Sequence, residues 1–224
     1  MKSTGQEPPL ILCPLAHEYG VIRRHLGRDC PMKLSCTGPG TRGILRWFES
    51  TGALQEGSTV ILAGLGGGLT ATLDHGDVVC ASEVIQEDGT RLKSPVSARN
   101  IPSASIFSSE KLVHSSLDKN ELNTRSGAEV VDMESSAFAR ACNARGLNWI
   151  VLRAVSDVHD EDLPHQVAHW IDHTGRTRPW TITWDLLRNP TLVGDCMRMR
   201  SSSKLALDRL AGQLQVLELR EVAS

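Results

Sequence analysis

No apolar run in this 224-residue chain approaches the roughly 20 residues that a membrane-spanning helix needs. The opening residues, Met1 to Pro9, lack the apolar centre of a secretory signal peptide, so a cytoplasmic location is the default expectation. Neither sign of charge dominates. With 24 Lys and Arg against 26 Asp and Glu, the net charge is -2. A broad nucleic-acid footprint needs clustered basic excess and is excluded as a reading. Six cysteines occur at 13, 30, 36, 80, 142 and 196, with no C-x-x-C pair. That pattern suits reduced, mostly buried thiols better than zinc sites or disulfides. No internal repeat, low-complexity linker or G-x-x-x-x-G-K-[ST] element breaks the chain. Its length suits one domain, 1–224, that buries roughly 70–75% of its unfolded surface.

What is present alternates between strand and helix patterns. Short apolar runs over Pro9 to Leu15, Lys33 to Thr37, Thr59 to Leu65, Asp77 to Val84, Ser105 to Phe107, Glu129 to Met133 and Asn148 to Ser156 read as strands. Helical spacing covers His17 to Leu26, Thr41 to Leu54, Leu117 to Arg125, Ser135 to Arg145, 180–188 and 191–221. In Thr41 to Leu54 the apolar side is Ile44, Leu45, Phe48 and Leu54; in the last helix Leu207, Leu210, Leu214 and Leu217 should face the sheet. Gln86 to Ser103 reads as a hairpin or excursion, and 157–179 as a long polar connection. Runs without alternation suit strands covered on both faces. The fold class expected is α/β: a three-layer αβα sandwich around a mixed, twisted sheet.

Two stretches carry most of the chemistry: Val130 to Ala137 (VVDMESSA) and Val151 to Asp157 (VLRAVSD). Each places acidic residues where an apolar run ends, and strand ends are where open α/β sheets bind ligands. The two are expected on neighbouring strands, aimed at one pocket. Glu134 alone would be a helix-start carboxylate favoured by the helix dipole. Asp157 alone would be a turn residue or N-cap, and Glu18 an ordinary helix-start acid. Arg153, inside an apolar strand, must be paired, with Asp132 or Glu134 as partner. However, Glu18, Glu134 and Asp157 each follow a different strand at its C-terminal side. One acidic pocket containing an arginine accounts for all of them.

Gly64-Leu65-Gly66-Gly67-Gly68 invites a dinucleotide reading, but no helix follows the glycines directly, as that fingerprint requires. The expectation is a turn whose bare backbone lets a ligand approach closely. His165, His169 and His173 recur every four residues, but in a polar, loop-like segment without an H-E-x-x-H pattern. No metal and no bound cofactor are expected. Core packing is the plain role for Trp170, Trp180 and Trp184.

These motifs together resemble the nucleoside phosphorylase and nucleosidase superfamily. Gly64 to Leu69, then Gly76-Asp77-Val78-Val79, then Val131-Asp132-Met133-Glu134, then Arg153 to Asp157 are similar in order and spacing to methylthioadenosine/S-adenosylhomocysteine nucleosidases. Asp162-Leu163-Pro164, the 174–179 segment, the Leu-rich C-terminal helix and Lys119-Asn120-Glu121-Leu122 resemble hopanoid-associated phosphorylases, which act on adenosylhopane. The resemblance implies cleavage of a ribose–purine N-glycosidic bond. It implies that Asp157 protonates or hydrogen-bonds purine N7, that Glu134 and the Met133 backbone hold the ribose hydroxyls, and that Leu65, Gly66 and Gly67 lie under the ribose. Glu18, as general base, and Arg153 would position an attacking water. An unperturbed Asp has a pKa of about 3.9, so about one in a thousand is protonated at pH 7; the site must raise that value or share the proton.

One departure bears on the acceptor. Phosphorylases of this kind carry an Arg before the glycines and a Ser or Thr within them, as phosphate ligands. Leu62 and Leu65 stand there. That favours water, although Arg23, Arg24, Arg42 or backbone N–H groups leave phosphate open as co-substrate. Asp at 157 suggests a 6-amino purine. The resemblance also implies a homo-oligomer. Two other readings stand beside the leading one: a methylthioadenosine/S-adenosylhomocysteine or futalosine-type nucleosidase, and a non-catalytic nucleoside-binding protein. The 5′ substituent of the nucleoside is open.

Overall fold

Thr59–Gly68 and Asn148–Asp157, ten residues each, run parallel through the centre of the molecule and are buried along most of their length. The computed structural model describes residues 8–170, 178, 185, 188, 189 and 192–222. In chain order these residues form β1 (Leu10–Cys13), α1 (Ala16–Leu26), β2 (Lys33–Cys36), α2 (Gly40–Ser50), β3 (Thr59–Gly68), β4 (Val78–Ile85), β5 (Arg91–Lys93), β6 (Val96–Ala98) and β7 (Ser103–Ser108). There follow α3 (Ser116–Ser126), β8 (Val130–Asp132), α4 (Ser135–Asn143), β9 (Asn148–Asp157), a 3-10 turn (His165–His169), α5 (Leu192–Gln215) and β10 (Leu219–Glu221).

Hydrogen bonding makes the sheet mixed. Strand β3 pairs in parallel with β1 and β9, while β4 pairs antiparallel with β9 and parallel with β7. Strand β7 then pairs with β8, and β8 returns antiparallel onto the last two residues of β3, Gly67 and Gly68. Five strands thus close on themselves as β3, β9, β4, β7, β8. The stretches ending in Glu134 and Asp157 are therefore not on neighbouring strands; β8 and β9 both flank the end of β3. The glycines are also not a turn. They continue β3, with a register shift at Gly66/Gly67 where the strand exchanges partners.

Helices cover both faces, as a sheet without alternation requires. On one side α2 and α4 bury Ile44, Phe48, Phe138 and Ala141 against Leu62, Val151 and Trp149. On the other, α1 and α5 bury Val21, Ile22, Leu207, Leu210 and Leu214 against Ile61, Ile150 and Leu152. The three-layer α/β architecture is as expected, with local differences. Leu45 is 44% exposed, because it sits one residue on from Ile44 and turns away from the Ile44–Phe48 face. The last helix ends at Gln215, and β10 pairs with β6, where helix was expected to Glu221. The helix expected over 180–188 lies largely outside the described residues. All six cysteines are free thiols, with Cys13, Cys80 and Cys142 buried. Among the described residues no helix is long and apolar enough to cross a membrane.

Candidate active site

Gly64 explains why four charged groups can meet under one cavity. Gly64 faces Arg153 across the β3–β9 ladder. A Cβ there would lie 2.6 Å from Arg153 Nη1 and 2.8 Å from Glu18 Oε1. The space that a side chain would fill holds a guanidinium and a carboxylate instead.

Arg153 is fully buried. Its Nε donates to Asp132 Oδ2 at 2.7 Å, and Nη2 lies 2.6 Å from the same oxygen and 3.2 Å from Glu134 Oε2. Both partners foreseen for it are present, so the structural ion pair is real. Nη1, buried, has no hydrogen-bond partner among the described residues. Asp132 also accepts the Ser135 N–H at 3.1 Å and the Ser135 hydroxyl, and so caps α4.

Glu134 precedes α4 but does not cap it. Its Oε1 accepts the Gly40 N–H at 2.7 Å, at the first residue of α2. Burial pushes its carboxyl up, and Arg153 opposes that shift. Glu18, in the first turn of α1, reaches back to the residue before the helix, where Oε2 accepts the Leu15 N–H at 2.8 Å; Oε1 accepts the Leu65 N–H at 2.8 Å. Burial pushes Glu18 up to about 7, against the pull of Arg153 and the two N–H donors. A carboxyl at that value is half ionised at neutral pH, the working range of a general base.

Asp157 closes β9 beside Gly67. Its Oδ1 accepts the Ser156 hydroxyl at 2.7 Å, and its Oδ2 lies 2.6 Å from Lys119 Nζ. Lys119, on α3, is wholly buried and also donates to the carbonyls of Val158 at 2.8 Å and Glu161 at 2.9 Å. Lys119 is a site residue that the sequence pattern barely marks. Its one signal is its place three residues before buried Leu122, on the inner side of a mostly polar helix.

One cavity of about 590 Å³ collects these groups. Glu18, Leu65, Gly66, Gly67, Met133, Glu134 and Asp157 all line it. Arg153 lies beneath it, in contact with the carboxylates. The rest of the wall includes Leu112, Val113, Leu163, Val167 and Met199. Trp170 is not part of that wall; it is buried, and its indole N–H donates to Asp185 at 2.8 Å. Trp180 and Trp184 lie outside the described residues. His165 and His169 belong to the 3-10 turn, while His173 lies outside the described residues. A second cavity, of about 610 Å³ between α2 and α4, holds none of the expected site residues.

Residues 98–187 match the family model of the Phosphorylase superfamily. Solved structures share the fold over nearly the whole chain. Helicobacter pylori 5′-methylthioadenosine/S-adenosyl homocysteine nucleosidase, complexed with a pyrrolidin-3-ol compound, aligns with a TM-score of 0.68 at 16% identity, covering 94% of this chain and 97% of that one. A futalosine hydrolase mutant of Helicobacter pylori gives 0.67 at 16% identity, covering 93% and 97%. Arabidopsis thaliana 5′-methylthioadenosine nucleosidase gives 0.65 at 17% identity, covering 94% of each chain. At these identities the likeness establishes a common fold. The family match and the fold support the superfamily that the motifs resemble.

Proposed function

We propose that this protein cleaves the N-glycosidic bond of an adenine nucleoside, with water as acceptor. One observation carries the reading: Glu18, Glu134 and Asp157, from three separate strand ends, line a single cavity over a buried arginine. Small-molecule sites have this size and this few convergent polar groups.

Each group suits a part of the reaction. Breaking the bond leaves positive charge on the ribose and negative charge on the purine. Glu134, fixed by Gly40 and Arg153, accepts from ribose hydroxyls and faces the developing cation. Charge-assisted bonds of that kind are worth about 1.5–3 kcal/mol each. Glu18, half ionised near pH 7, takes the proton of an attacking water. Asp157 meets the purine, and a carboxylate there accepts from a 6-amino group, whereas a 6-oxo group offers it only lone pairs.

Charge favours water over phosphate. The buried charged groups at the cavity are four acids, Glu18, Asp132, Glu134 and Asp157, against two bases, Arg153 and Lys119. A phosphate dianion would enter a field of its own sign. Arg23, Arg24 and Arg42, the arginines that could have served phosphate, are exposed and stand outside the cavity wall. The apolar wall from Leu112 to Met199 suits a nucleoside with a bulky apolar 5′ substituent, and an adenosyl hopanoid is the substrate we propose for it.

The test is to incubate purified protein with adenosine, methylthioadenosine and adenosylhopane, with and without phosphate, and to measure adenine and the sugar product. Adenine with free sugar, formed without phosphate and fastest from adenosylhopane, is expected. No adenine from any of the three overturns the reading, and a preference for methylthioadenosine moves the substrate to a thioether nucleoside.

A further inference from the structure

Asp157 meets the purine, yet it already accepts a hydrogen bond from a lysine that the substrate never touches. Lys119 does not line the cavity. It approaches Asp157 from behind, with no exposure to solvent. An ammonium group has three protons to give, and Lys119 has three acceptors at 2.6, 2.8 and 2.9 Å: Asp157 Oδ2, Val158 O and Glu161 O. Among the described residues, Lys119 is the one cation paired with Asp157. The other Asp157 oxygen accepts from the Ser156 hydroxyl.

We propose that Lys119, acting through Asp157, supplies the proton that the departing purine takes up. The inference rests on the nucleosidase reading above. As the C1′–N9 bond breaks, its electron pair passes into the purine ring. Purine N7 takes a proton from the Asp157 carboxyl, which takes one from Lys119 Nζ. Water adds its oxygen to C1′ and gives its proton to the Glu18 carboxylate. Solvent in the cavity then removes a proton from Glu18 and returns one to Asp157, which passes it back to Lys119, so the cycle closes without a co-reactant. The arrangement answers the difficulty that a free Asp is almost wholly ionised at neutral pH: the proton is stored on an amine and crosses only when the purine becomes basic enough to take it.

Lys119 also ties down the 158–161 segment through its carbonyl bonds, so loss of activity in a variant is not by itself informative. The discriminating readout is the leaving group. In 4-nitrophenyl β-D-ribofuranoside and 7-methyladenosine the departing group needs no proton. Lys119→Met, shown folded by circular dichroism, is expected to lose about 10²–10⁴-fold in kcat on the natural nucleoside, the range of a positioned acid, and far less on these two probes. Lys119→Arg keeps the charge but cannot release a proton, so it should fail in the same selective way and serves if the Met variant does not fold. Equal losses on all substrates, or wild-type turnover of the nucleoside by Lys119→Arg, overturn the proposal. No base release by the wild-type protein overturns this proposal and the nucleosidase reading together; base release with equal losses in the variants overturns this one alone.

Discussion

Glu134 and Gly40 are 94 residues apart in the chain and 2.7 Å apart in space: the carboxylate of one caps the helix that begins at the other. The N-terminus of α2 carries unsatisfied N–H groups and partial positive charge, and Pro39 ahead of it offers no side-chain cap. Glu134 thus holds one oxygen against a helix dipole and the other against Arg153. Glu134→Gln presents an NH₂ group to one of two donors. Chemical denaturation should report about 1–3 kcal/mol of lost stability, the cost of an unsatisfied buried donor, and kcat/KM should fall with it.

Gly64→Ala tests the space between β3 and the ion cluster. Its Cβ would stand 2.6 Å from Arg153 Nη1 and 2.8 Å from Glu18 Oε1, so both groups must move. A displacement near 1 Å costs about 10²-fold in rate. Steady-state kinetics should show that loss, and an unchanged kcat/KM would remove Gly64 from the account.

Glu18 predicts opposite trends for activity and stability. As the general base we propose, it must be ionised, so kcat/KM should fall as pH drops through about 7. Its folded value lies above its unfolded one, so its stabilising contribution is complete below about pH 4.5 and is lost as pH rises through about 7. Glu18→Gln abolishes that slope. Relative to the variant, the wild type should lose stability on the order of 3 kcal/mol between pH 4.5 and 8, read by denaturation at each pH.

Asp157→Asn should abolish turnover while leaving nucleoside binding measurable by calorimetry; a pure binding protein would show no turnover to lose. It also leaves Lys119 buried without its carboxylate, a loss of about 3–5 kcal/mol for a broken buried pair. Combining it with Lys119→Met should recover part of that loss. Additive effects in the double variant would mean that the two side chains are uncoupled.

The acidic ends of β8 and β9 were legible because a carboxylate at the close of an apolar run is conspicuous in one dimension. Arg153 was legible for the same reason: a charge inside a strand must find a partner, and Asp132 and Glu134 were within reach. Lys119 was not, because it sits in a helix of mainly polar residues, where a buried lysine looks like a solvated one. Glycines 66 to 68 read as a turn because glycine carries no alternation to mark a strand face. Their place in β3 depends on partners more than sixty residues away, in β8 and β9. For the same reason the separation of β8 from β9 could not be read. β10 escaped notice because three residues after a long helical pattern carry too little periodicity of their own.

The exchange of partners by β3 at Gly66/Gly67 makes the cavity floor the seam of a closed ring. A slip of one residue along that seam would turn every side chain to the opposite face, carrying the Leu65 side chain into the position that bare Gly64 vacates for the guanidinium. The charged floor is therefore intolerant of any change of register. The wall residues outside the ring, from Lys111 to Val113 with Leu163, Val167 and Met199, can change without disturbing that seam.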